Sequence, residues 1–349
     1  MAIRFIPGLE LCGLFHTEII KPLLDLNFPS LRYSAALIGA GSEVLGFDTE
    51  MSSDHGWGPR IDLFLTESDH SDHAKAIEEL LRRNLPDQFR GYPVRWTLAG
   101  ETGDPCVQLL TVRSFFLRYI NFDIRNEIET ADWLTFPEQK LSTVTSGMIY
   151  SDGIGLQASR ERFRYYPHEI WLYLLAAGWQ RIGQEEHLMG RAGIVGDEIG
   201  SALIGARLVR DLMRLCFLME RQYAPYAKWF GTAFAQLASV KELAPLLRQV
   251  LMAPTWSERQ EHLAPAYEIV AAKHNALHIT ESLDAKVSRF HERPFLVIDG
   301  ARFANAIRAR ITDPVVKQVA CRWLIGSVDQ FSDSTDLLNE SHSLRPLYR

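Results

Sequence analysis

The chain has no stretch of 18 uncharged apolar residues, so no membrane-spanning helix is expected. It has no basic excess either. Lys and Arg number 37 against 43 Asp and Glu, for a net charge of −6. A broad, non-specific nucleic-acid surface needs a basic footprint and is excluded on that ground, whereas a local basic pocket is not. Cysteine is scarce. Cys12, Cys106, Cys216 and Cys321 are too scattered for zinc-ligand spacing or a dense disulfide framework. Reduced thiols in a bacterial cytoplasm are expected, and the opening MAIRFIPGLE lacks the apolar core of a signal peptide. There is no internal repeat and no low-complexity segment. What is present is an ordinary globular composition, 47% hydrophobic and 23% charged over 349 residues, enough for two domains.

The most informative stretch is 35–65, AALIGAGSEVLGFDTEMSSDHGWGPRIDLFL. The apolar run Ala35 to Ile38 reads as a strand buried on both faces. It meets Gly39, Gly41 and Ser42, where glycine permits a sharp turn and close backbone approach. Ser42 stands where a helix would begin, so its hydroxyl and the N–H groups of Gly41 to Glu43 are candidate phosphate contacts. Asp54 follows twelve positions later, before a second apolar run from Ile61 to Leu65. A carboxylate there is placed to hold Mg²⁺ against the same phosphates.

This pattern of strand, Gly-Ser, polar segment and Asp before the next strand resembles the nucleotidyltransferase superfamily, which includes DNA polymerase beta and kanamycin nucleotidyltransferase. The wording GSEVLGFDTEMSSDH with WGPR is similar to a bacterial family of nucleotidyltransferase-like proteins of unassigned function. The resemblance extends through ADWLTFPEQKL, HEIWLYLLAAGWQRIGQEEHLMGR, GDEIGSALIGARLVRDL and IGSVDQFSDSTDLL. It implies an α+β chain, with a polymerase-beta-like α/β domain and mixed sheet over 1–150 and an all-α helical bundle over 151–349. It also implies transfer of an NMP group from ATP or GTP to a hydroxyl of an unidentified acceptor, assisted by Mg²⁺, with the nucleotide between the domains. By analogy with kanamycin nucleotidyltransferase, a helical-domain glutamate, Glu185 or Glu186, would be the general base. One departure is central. Gly56 stands where the motif has its second carboxylate, and Gln108 rather than an acid lies on a later strand. The alternative implied is a nucleotide-binding or regulatory protein that keeps the fold without the chemistry.

Elsewhere the patterns are structural. Leu11, Leu14, Phe15, Ile19 and Leu23 predict an amphipathic helix over 9–26. Ser68, Asp69, Ser71 and Asp72 suit a helix N-terminus better than a metal site. Residues 91–100 and 104–112 read as strands, 114–123 and 131–141 as helices. The turn-rich segment 143–169 reads as the domain junction. Four cationic sites are candidates for the triphosphate, since guanidinium matches phosphate oxygens. These are Arg160, in a basic run with Arg162 and Arg164; Arg207 and Arg210, on a helical face shared with Arg214 and Arg221; and Lys228 beside Tyr226 and Trp229.

Overall fold

The structure, a computed structural model, describes residues 4–54, 57–94 and 106–348; of Ser53 and Asp54 it describes the backbone alone. The chain divides into two compact units. Unit 1 comprises Met1–Glu127 and Gln139–Arg164, unit 2 Ile128–Glu138 and Tyr165–Arg349.

Unit 1 opens with α1 (Gly8–Phe15), which runs through a π turn, His16–Ile20, into α2 (Lys21–Asn27). Leu11 and Phe15 are buried as expected, but the π turn adds a residue, so Ile20 and Leu24 take the deepest positions and the expected Leu14, Ile19 and Leu23 are partly buried beside them. Then come β1 (Tyr33–Leu37), β2 (Ile61–Leu65), α3 (Glu67–Asn84), β3 (Val107–Thr111) and α4 (Val112–Ile120). Thr66 caps α3 by accepting the Asp69 N–H at 3.1 Å, the structural use expected of that polar cluster. The chain then forms α5 (Thr130–Thr135), which belongs to unit 2. The single helix expected over 131–141 is two, because Pro137 interrupts the backbone donors before α6 (Glu138–Thr145) begins. The turn-rich segment supplies a strand, β4 (Met148–Asp152), before α7 (Leu156–Glu161).

The sheet has the order β3-β2-β1-β4. β1 pairs antiparallel with β2 and β4, and β2 pairs parallel with β3. The sheet is mixed, as expected, and all five residues of β1 are buried. Tyr33, Ala35 and Leu37, on one face of β1, share a core with Leu11, Phe15, Ile20 and Leu24 of the N-terminal helices. The first expected strand, 91–100, lies partly outside the described residues. Its described part forms a two-residue pairing of Tyr92–Pro93 with Gln88–Phe89.

Unit 2 is helical. α8 (His168–Ile194) and α9 (Glu198–Met219) are antiparallel neighbours. They are followed by α10 (Ala227–Phe234), α11 (Val240–Met252), α12 (Trp256–Ala276), α13 (Gly300–Arg308) and α14 (Pro314–Arg322). A ribbon of Ser288–Arg289 with Leu296–Val297 interrupts the helices. α8 is the core helix, with Trp171, Tyr173 and Trp179 fully buried. It meets α13 at a pair of glycines. A Cβ on Gly300 would lie 2.6 Å from the Trp179 carbonyl oxygen, and one on Gly183 would lie 2.7 Å from the Ala301 nitrogen. That approach stacks Trp179 on Phe303 at 4.3 Å.

The ring of His274 stands edge-on to both aromatics, fully buried, with Nε2 3.1 Å from the Thr280 hydroxyl. Burial lowers its pKa from 6.5 to about 4. The sign follows. The unfolded chain takes up a proton below pH 6.5 and the folded chain does not, so stability from this group is present above 6.5 and is lost as pH falls toward 4. At ~1.4 kcal/mol per pH unit the loss reaches about 3 kcal/mol. His274→Phe should flatten the pH dependence of urea unfolding over that window. A variant with the wild-type slope would show that His274 does not titrate on unfolding.

Candidate functional site

The candidate site in unit 1 is the turn that leaves β1. Gly39, with φ +87°, donates its N–H to the Thr143 carbonyl at 3.1 Å, which anchors the start of the turn. Gly41 has φ +144°, in the region that favours glycine. Space makes the same demand: a Cβ on Gly41 would lie 2.4 Å from Nη2 of Arg60. Ser42 does not open a helix. The chain makes one turn over 42–46, with the Gly46 N–H on the Glu43 carbonyl at 3.0 Å and the Phe47 N–H on the Ser42 carbonyl at 2.9 Å. Gly46, at φ +70°, ends it, as left-handed glycines end helices. Among the described residues, no backbone carbonyl takes the N–H groups of Ala40, Gly41, Ser42 or Glu43. Anion-binding concavities are built from successive N–H groups that converge on one side of a turn.

Arg60 secures the turn. Its Nη2 donates to the Ala40 carbonyl and to Oε1 of Glu43, each at 2.5 Å. Glu43 is 2% exposed, so its carboxylate faces Arg60 rather than solvent. Behind them, the Arg60 N–H donates to Cys12 Sγ at 3.3 Å, and that thiol donates to the Gly58 carbonyl at 3.4 Å. Burial pushes the Cys12 thiol up to about 12, which keeps it neutral and unreactive. Asp48 Oδ2 accepts the Gly8 N–H at 2.7 Å and Trp57 Nε1–H at 2.9 Å, holding the exit of the turn to the start of α1.

Asp62 is the acid within β2. It pairs in register with Ala36 of β1 and Gln108 of β3. Burial raises its carboxyl to about 6, against the opposing pull of Arg60, Arg118 and the Ile38 N–H. Arg118 donates from Nη2 to Gln108 Oε1 at 2.9 Å. The end of the sheet thus carries two acids, Glu43 and Asp62, two guanidinium groups, Arg60 and Arg118, and the Gln108 amide. Asp54, the expected metal ligand, ends a 3-10 turn, Glu50–Asp54, ahead of β2, and its side chain is outside the description. Gly56 lies outside the described residues.

The remaining expected residues have other occupations. Arg160, buried in unit 1, donates to the carbonyls of Val144, Thr145 and Ser146 at 2.6–2.9 Å. It caps the C-terminus of α6, where a cation matches the helix dipole. Glu185, Glu186, Arg207, Arg210 and Lys228 all belong to unit 2. Adjacent on α8, the two glutamates point about 100° apart. Glu185 forms a two-pronged pair with Arg207, with Nε 2.9 Å from Oε2. Glu186, 5% exposed, accepts the N–H groups of Ile298, Asp299 and Gly300 at 2.6–3.2 Å and so caps α13. Arg210 pairs with Asp333 at 3.1 Å, and Arg214 of the same face pairs with Glu138 at 3.1 Å. Lys228 lies 4.7 Å from the Trp229 ring centroid.

Arg60 is the residue that sequence reasoning missed. The signal was its position: a cation directly before the first residue of a buried strand, able to reach back to the preceding turn.

Residues 133–230, from within α5 to within α10, match the model of a family described as a domain of unknown function, DUF4037. No curated protein matches the chain. Among solved structures the chain is similar to the crystal structure of a nucleotidyltransferase-like protein from Exiguobacterium sibiricum 255-15. The two share 13% identity over 80% of this chain and 83% of that one, with a TM-score of 0.33.

Proposed function

We propose that unit 1 binds the phosphates of a nucleoside triphosphate, ATP or GTP, and that the chain is a nucleotidyltransferase moving an NMP group to an acceptor hydroxyl. The observation that carries this reading is the turn after β1. Four successive N–H groups that have no backbone partner among the described residues follow a central strand, where ligands bind in α/β sheets, and Arg60 stands against the turn. The N–H groups would take phosphate oxygens, and the guanidinium would balance their charge. Glu43 would hold Arg60 in place rather than touch the nucleotide. Asp54 is the residue that would hold Mg²⁺, with the phosphates completing its oxygen shell. The ion would neutralise the phosphates when bound. Asp62, which burial raises to about 6 against the pull of Arg60 and Arg118, is a poorer ligand for it.

A second reading, binding without transfer, is favoured by two observations. Gln108 presents an amide, already engaged by Arg118, next to Asp62 on the sheet. In unit 2, Glu186 is committed to capping α13 and Glu185 to Arg207, so neither carboxylate is idle for use as a general base.

Ser42→Arg should abolish NTP binding in isothermal titration calorimetry while far-ultraviolet circular dichroism stays unchanged. Residue 42 is only partly buried, so the longer side chain has space but crowds the N–H groups. Unaltered affinity would place the nucleotide elsewhere. Pyrophosphate release with candidate acceptors separates the two readings: transfer requires it, binding alone does not.

A further inference from the structure

The outer end of the α8–α9 hairpin, in unit 2, carries more exposed apolar surface than a fold alone requires. Ile194 and Val195 stand at the tip, and Ile199 and Leu203, one turn apart on α9, continue it. Val195 is 79% exposed and Ile199 78%. Scattered exposed aliphatics are unremarkable, but a cluster of this kind marks an interaction surface.

Beside the tip runs a groove of about 610 Å³. It is lined by Leu188 and Val195 from the α8 side, Ile204 of α9, and Phe295. Small residues on α8 let two aromatic side chains pack close to it. A Cβ on Gly190 would lie 2.5 Å from the Phe295 ring, and one on Gly193 would lie 2.2 Å from Trp256. The two aromatic rings then meet edge to face at 6.0 Å. The packing beside the groove is therefore apolar.

Its rim is cationic. Arg191 and Arg293 line it, both exposed. They lie close enough to His187 to lower its pKa together with His291, after the larger effect of burial. A cationic rim is a local reversal in a chain whose net charge is −6. We propose that this groove and the adjoining tip dock an amphipathic helix of a partner protein, its apolar stripe in the groove and its acidic flank against Arg191 and Arg293. Helix-in-groove recognition uses apolar anchors at i, i+3, i+4 and i+7, and charge complementarity fixes register and selects the partner. The exposed aliphatics reach beyond the groove along α9, which a helix covers and a small amphiphile does not.

The test uses the full chain and two fluorescein-labelled helical peptides. Both carry Leu at i, i+3, i+4 and i+7. One has Glu at the flanking positions and the other Lys. By fluorescence anisotropy the Glu peptide should bind about tenfold or more tightly than the Lys peptide at low salt, with the difference shrinking as salt is added. Arg191→Glu with Arg293→Glu should invert the preference, and Val195→Asp with Ile199→Asp should abolish binding of both. These positions are exposed, so unchanged circular dichroism is expected. Equal affinity for the two peptides, no binding of the Glu peptide, or binding that survives the Asp substitutions would overturn the proposal. So would sedimentation of the chain as a dimer that Val195→Asp dissociates, because the face would then belong to a second copy.

Discussion

Replacing Arg60 with methionine should destabilise unit 1 by about 3 kcal/mol, the lower end of the cost of removing one partner from a buried ion pair. The pair is only partly shielded, with the Arg60 side chain 23% exposed and that of Glu43 3%, which argues for the lower end. Methionine fills much of the volume but leaves the Glu43 carboxylate buried and unpaired. It also frees the Ala40 carbonyl, which Arg60 holds at 2.5 Å. Two effects should therefore appear together: a lower midpoint in urea unfolding, and loss of NTP binding at concentrations of urea where the protein is still folded. A double variant, Arg60→Met with Glu43→Gln, removes the stranded charge and should regain most of the stability but none of the binding. If Arg60→Met alone were as stable as wild type, the ion pair would not be what secures the turn. If the double variant bound NTP normally, Arg60 would have no part in phosphate recognition.

Glu186→Ala should cost more, about 4 kcal/mol, because it strands three N–H groups at once. Leaving a buried donor unsatisfied costs about 1–3 kcal/mol, and the donors at Ile298 and Gly300 are in a buried setting. α13 would lose its N-terminal cap, and with it the seat of Phe303 against Trp179. Burial raises the Glu186 carboxyl from 4.5 to about 7, although its three N–H partners pull the other way. The folded chain thus holds a proton that the unfolded chain releases above pH 4.5. Stability from that proton is fully present below 4.5 and is lost as pH rises through 7. Glu186→Gln mimics the protonated acid, so its stability relative to wild type should improve between pH 5 and pH 8. A constant difference across that range would mean that Glu186 stays ionised in the folded state, held by its N–H donors.

Local periodicity made much of the architecture legible. The helix starting near residue 9, β1, β2 and α3 each announce themselves within their own residues. β4 does not. Its partners are far away in sequence, Ser34 opposite Asp152, and its residues are only half-buried. Nothing in Met148–Asp152 alone distinguishes an edge strand from a linker. In the site, Gly41 was legible as a turn glycine, but its reason differs: it makes way for Arg60. The absence of a helix at Ser42 was also written locally, in Gly46. Glu185 and Glu186 show the limit of sequence reading most clearly. Adjacent in the chain and alike in chemistry, they are separated by the helical rotation between them, and only the positions of Arg207 and α13 decide what each one holds.

The discontinuous make-up of unit 1 bears on how the protein is born. Its sheet has β4 at one edge, beside β1, and β4 ends at Asp152. A ribosome releases β1, β2 and β3 first, then Ile128–Glu138, which belongs to the other unit, and only afterwards the strand that covers β1. During that interval β1, five consecutive residues destined for burial, offers an unpaired edge to any neighbouring strand. Nascent chains arrested between β3 and residue 152 should therefore be the species that aggregate or recruit chaperones, and chains arrested beyond α7 should not.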